Sequence, residues 1–185
     1  MDIMTSKQMI GSLIAIVVVS LVGLNTAMAI IPGPSYLVVS ASTADSQNSN
    51  LAKLSVTTGD SIPRKPTSFI SSHAVAGIAW ADLDTGKVFV ATIHPTLGRD
   101  SNQNPDSWHT HTATLTGGAG SADFCVASID STPTAGISIK DNTISINAKQ
   151  SDLPFATSDI DATVGFVIDP EGACASGLGV NVLTP

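Results

Sequence analysis

Beyond His73 the chain breaks about every ten residues on Gly, Pro, Asp or Asn, and the segments between the breaks are short and rich in β-branched residues. None of them keeps the 3.6-residue apolar period of an amphipathic helix. Such a pattern dictates short antiparallel strands joined by tight turns. Strands are expected over residues 74–80, 87–94, 108–116, 124–129, 162–168 and 178–183. The plainest hairpin sets Ile137 and Ile139 against Ile144 and Ile146 across a reversal at Asp141-Asn142. Asp82-Leu83-Asp84-Thr85-Gly86 supplies another tight turn. Upstream, residues 36–40 read as a short strand, 42–50 as a polar loop and 51–58 as a weakly alternating segment. Pro63 and Pro66 deny regular structure to residues 60–66. The pattern points to an antiparallel sandwich or barrel. The expected fold is all-β: an antiparallel β-sandwich, preceded by one N-terminal hydrophobic helix.

That helix is residues 9–31, an apolar run behind a short polar start whose single cation is Lys7. It closes on Ala27-Met28-Ala29, the small-x-small pattern of a signal-peptidase site. The run also has the roughly 20 residues needed to span a bilayer. Residues 1–29 are therefore either a cleaved signal peptide or a retained membrane or filament helix. Residues 30–50 are expected as a linker with a first short strand, and 51–185 as the β-sandwich domain. Lys7-Gln8 ahead of Met9-Ile10 resembles the start of archaeal type IV pilins, which implies self-association through the same segment; Gln8 stands where those proteins have a small residue. Both readings place the protein outside the cytoplasm: extracellular, periplasmic-type or at the cell surface.

The net charge is -7, and the acid is almost wholly Asp, with Glu171 the only Glu. Lys and Arg are scattered, with Arg64-Lys65 the only adjacent pair, so no basic face for nucleic acid is present. The two cysteines, Cys125 and Cys174, are expected to form a disulfide in an exported chain. The alternative, a pair of thiolate metal ligands, lacks any Cys-x-x-Cys spacing.

Chemistry concentrates in the histidines. His109-Thr110-His111 on a strand puts two imidazoles on one face, shared with Ala113 and Leu115. If the preceding strand pairs with this one, Val88, Val90, Thr92 and His94 share a face and His94 reaches the pair. Three imidazoles suit zinc or copper. His73 is a fourth ligand only if its strand starts beside this corner. The competing expectation is ordinary strand histidines that satisfy their nitrogens by hydrogen bonding. In the intervening loop, Asp100, Asn102, Asn104 and Asp106 space oxygen side chains like the start of a calcium loop. Pro105 and His111 occupy the positions where an EF-hand needs Gly and Glu, which leaves at most a looser calcium site or a solvated loop.

His109-Thr110-His111 on a sandwich strand, in an acidic exported chain with one disulfide, resembles copper/zinc superoxide dismutases and the related chordin-type domains. The resemblance covers those three residues and implies an Ig-like or superoxide-dismutase-like Greek key. Those enzymes carry further ligand histidines downstream, whereas here none follows His111, and His73 and His94 precede it. The dismutase activity is therefore not carried over. No Gly-x-Ser-x-Gly and no phosphate loop is present, so no catalytic residue is nominated. The sequence reads first as a metal-binding exported protein. Its alternative is a structural surface protein without catalysis, with a metal-dependent enzyme as a third reading.

Overall fold

A computed structural model describes residues 34–65, 75–94, 107–169 and 173–184. Ten strands follow in order: β1 (Val39–Asn48), β2 (Leu51–Thr58), β3 (Ala76–Asp82), β4 (Lys87–Ile93), β5 (His109–Gly117), β6 (Phe124–Ser131), β7 (Gly136–Lys140), β8 (Thr143–Lys149), β9 (Ala162–Asp169) and β10 (Gly179–Leu183). All pairings are antiparallel. Among the described residues no helix is long and apolar enough to cross a membrane. The expected N-terminal helix lies outside them.

The all-β reading holds, but the layers differ from two open sheets. Six strands close into a barrel in the order β10-β6-β5-β4-β3-β9, and β1-β2-β8-β7 form a separate four-stranded sheet. Burial along β3 and β4 explains the arrangement, because these strands bury residues on both faces, while β9 is half-buried apart from Thr163, Gly165 and Phe166. Ile78 and Trp80 on β3, with Phe89, Ala91 and Ile93 on β4, pack in one cluster with Leu54 and Val56 of β2 and Ile144 and Ile146 of β8. That cluster joins the barrel's outer wall to the sheet. The opposite faces of β3, β4 and β9 turn inward and meet residues from β5, β6 and β10. A period-2 pattern shows that both faces are apolar without showing whether a sheet closes on itself.

Residues 42–48, expected as a loop, belong to β1, which pairs with β2 from Val39↔Thr58 to Asn48↔Leu51. Most of its side chains are exposed, and an edge strand of Ser, Thr and Asp is held by its backbone ladder rather than by a buried stripe. The strand expected at 36–40 begins later, at Val39, because Ser35–Leu37 is a 3-10 turn. That turn drives Leu37 into the core at 0% exposure. A Cβ at Gly165 on β9 would collide with the Leu37 carbonyl, so this crossing demands glycine. Gly165→Ala should lower stability by about 1–3 kcal/mol through overpacking, measured as a shift of the denaturation midpoint.

The barrel's weakest seam lies between β10 and β6, where the register covers only Gly179↔Cys125 and Val180↔Phe124. The disulfide Cys125–Cys174, with Cα atoms 5.5 Å apart, sits on that seam and ties β6 to the connection leading into β10. With a sequence separation of 49, the chain-entropy model puts its contribution at about 4 kcal/mol. Cys125→Ala with Cys174→Ala should lose most of that in denaturant titration and speed amide exchange in β10 before β3.

Two register shifts in β6 opposite β5 insert extra residues at Ala127 and Asp130. They put Val126 and Ile129 on one side. The Asp130 carboxylate accepts from Ser128, Thr114 and Lys87, the last at 3.0 Å. The Ser128 hydroxyl first, then Lys87, hold its carboxyl below the usual carboxylate range. A depressed carboxylate stabilises the fold above its unfolded-state pKa, and that contribution fades as pH falls through the folded value. Asp130→Asn should therefore cost a fraction of a kcal/mol at neutral pH, since exposed pairs contribute only about 0–1 kcal/mol. The cost should vanish in acid unfolding curves.

Candidate metal centre

The site is built on the β4–β5 ladder. Register pairs Thr92 with His109 and Val90 with His111. His94 is the residue just past β4, so the same ladder extended by two residues sets it opposite Ser107 and diagonal to His109. All three imidazoles rise from the inward face. The opposite face of β5 is locked down. Trp108 Nε1 donates to the Pro63 carbonyl at 3.0 Å, Thr110 Oγ1 to the Pro133 carbonyl at 2.6 Å, and Thr112 Oγ1 meets Ser131 Oγ at 2.7 Å. On β4, Thr92 Oγ1 donates to the Ala76 carbonyl at 2.7 Å. His109 and His111 stand on β5, and His94 stands immediately beyond the end of β4.

Their mutual geometry is tight. One ligand atom from each of His94, His109 and His111 falls within 4.8 Å of the others. His109 Nε2 lies 2.9 Å from His94 Nε2. The His94 and His111 rings are nearly parallel, with an 18° interplanar angle and centroids 5.9 Å apart; His109 stands edge-on to both. His94 and His111 are buried and His109 is half-buried.

Outer partners set the tautomers. His109 Nδ1 lies 2.8 Å from the Ser107 carbonyl. A carbonyl only accepts, so Nδ1 carries the proton of the neutral ring, and the Nε2 lone pair is aimed into the cluster. His111 Nδ1 is 3.2 Å from Thr132 Oγ1. A ring nitrogen tied to a carbonyl or hydroxyl while the other faces the ion is the usual arrangement around histidine-bound metals.

His94 and His111 also line a cavity of about 400 Å³ whose wall draws on all six barrel strands, among them Ala79, Val90, Ala113, Val126, Phe166 and Val180. The cavity is the barrel interior, and the histidines stand at one end of it. Ile129, also in the wall, is 42% exposed, and β6 beyond Val126 has no β10 partner among the described residues. Among the described residues no strand covers that part of the seam.

His94, His109 and His111, expected on one face, do lie together, and Cys125 and Cys174 are bonded as expected. The structure adds Thr132, Ser107 and the cavity wall, which the sequence did not single out. An unbulged β5–β6 hairpin folded at residues 117–124 sets Asp130 opposite His111; the two extra residues in β6 bring Thr132 there instead. No pattern in the sequence marks those bulges. His73 and the oxygen-rich stretch Asp100, Asn102, Asn104 and Asp106 lie outside the described residues. No known protein family, curated protein or solved structure matches this chain.

Proposed function

We propose that this is an exported protein that binds one transition-metal ion, copper or zinc, through His94, His109 and His111. The observation that carries the reading is the convergence of three imidazole nitrogens within 4.8 Å at one end of the β4–β5 ladder, two of them 2.9 Å apart. Tetrahedral ligands at zinc's usual bond length stand about 3.3 Å from one another. Small ring rotations therefore suffice to admit the ion. Imidazole suits zinc and copper over calcium or magnesium, which select oxygen. Both cysteines are committed to the disulfide, so thiolate ligation drops out. That disulfide also accords with an oxidising compartment outside the cytoplasm. Three ligands come from the described residues, and a fourth position is open to His73 or to a non-protein ligand; only the latter makes the site one of the open kind that distinguishes working metal sites from closed structural ones.

An ion that binds only the folded state raises its stability by RT ln(1 + [L]/Kd), about 2.7 kcal/mol at a hundredfold excess over Kd. For a chain of this size the melting temperature should rise by about 5–10 °C with zinc. The gain should shrink as pH falls, because protons compete for the imidazole lone pairs. Calorimetric scans with zinc, copper and calcium check this. Melting curves that 100 μM zinc and copper leave unmoved at neutral pH sink the proposal.

A further inference from the structure

We infer that the barrel interior binds a small molecule through its hydrocarbon body, which lies against the inner faces of the strands. Binding of this kind needs neither a metal ion nor any role for the histidines.

A barrel of six strands is narrow enough for ordinary side chains to fill. Here Ala79, Val88, Val90 and Ala113 take inward positions on β3, β4 and β5, and a chamber of about 400 Å³ remains. The buried residues of the inner wall accordingly form two separate clusters, one around Phe166 and one around Val88, rather than a continuous core. Val90, Leu115, Ile168 and Leu178 line the chamber, yet each is only half-buried. Apolar surface is thus left accessible on β4, β5 and β9 and just ahead of β10. A continuous accessible wall of this kind marks a ligand site rather than a packed core.

The chemistry of the wall selects the occupant. Apart from Thr92, His94 and His111, every described lining side chain is Ala, Val, Leu, Ile or Phe. The Thr92 hydroxyl donates to the Ala76 carbonyl. An ordered water needs several polar partners, and an aliphatic wall supplies none. An empty void costs its wall the dispersion contacts it would otherwise make, and the loss grows with volume. A hydrocarbon body restores those contacts and asks no polar group of the protein. A heavy atom of such a body occupies about as much space as a water molecule's share of the liquid, roughly 30 Å³. The chamber of about 400 Å³ therefore takes on the order of ten heavy atoms, the size of 1-octanol.

The test is titration of the full chain, stripped of metal by a chelator, with 1-butanol, 1-hexanol and 1-octanol. The hydroxyl is common to all three, so differences in affinity report the hydrocarbon alone. Each added pair of methylenes should tighten binding by about tenfold. Methyl resonances of Val90, Val126 and Val180 in the chamber should shift, while those of Leu54 and Ile144, between barrel and sheet, should not. An affinity indifferent to chain length overturns the inference. So do shifts confined to methyl groups outside the chamber, or no octanol binding up to millimolar concentration. Val126→Phe, which narrows the chamber beside Leu115, should weaken octanol binding by about tenfold. Unchanged affinity in a folded Val126→Phe protein counts against the site; if that variant does not fold, the methyl shifts of the unaltered chain decide. Octanol binding with these shifts upholds the inference even where zinc fails to bind, so the two readings stand or fall separately.

Discussion

Replacing His109 with alanine should weaken zinc binding by well over 100-fold, and replacing Thr132 with valine should weaken it by about 10-fold. The gradient follows from position. His109 offers its Nε2 lone pair to the cluster and is held by the Ser107 carbonyl at 2.8 Å, so its loss removes a ligand and the best-oriented nitrogen together. Thr132 only steadies the His111 ring through Nδ1, and outer partners of this kind are worth about 10–100-fold in affinity. His94→Ala and His111→Ala should fall with His109→Ala. All three proteins should fold, because the site stands at one end of the barrel and outside the main core, which lies between barrel and sheet. Competition with a chromophoric chelator measures the affinities, and circular dichroism checks folding. Equal, small effects from all four substitutions would mean that the histidines are ordinary strand residues.

Trp80→Ala should be among the most damaging single changes, at about 3–5 kcal/mol. Trp80 is fully buried in the cluster that joins barrel to sheet, with the Phe89 ring 6.2 Å away. Truncation opens a void in a layer where neither sheet can move without breaking ladders on both sides. Trp80→Phe should cost much less than truncation alone suggests. The indole Nε1 is buried without a hydrogen-bond partner among the described residues. Removing it relieves a desolvation penalty of about 1–3 kcal/mol, which offsets part of the lost contact area. Urea denaturation of the two variants separates these contributions. Equal losses would show that the indole nitrogen is satisfied in solution.

The parts of this molecule legible in its sequence are those that depend on short-range pattern. The Ile137/Ile139 and Ile144/Ile146 hairpin appears as β7 and β8 around Asp141, whose φ of 52° is the left-handed turn that Asp tolerates. The inward face of β5 follows from strict alternation, and β4 brings His94 beside it because a regular antiparallel register carries no ambiguity. Closure of the barrel was not legible. It depends on the β10–β6 seam, only two residue pairs long, and on contacts between residues far apart in sequence. The β6 bulges were hidden for a related reason. Ala127 and Asp130 are unremarkable strand residues, and only the ladder shows that each is one too many. Only the start of β1 falls in the strand expected at 36–40; the rest, rich in Ser and Thr, forms an exposed edge with little apolar signature. The cavity was invisible too, since the same alternating valines fill a core in one topology and line a chamber in another.

The account turns on three imidazoles holding one ion. X-ray absorption at the zinc edge of the stoichiometrically loaded protein reads that shell directly. The account predicts at least three imidazole nitrogens at about 2.0–2.1 Å, and a lower imidazole count in His109→Ala. A first shell of oxygens alone, or an imidazole count unchanged by that substitution, would contradict it.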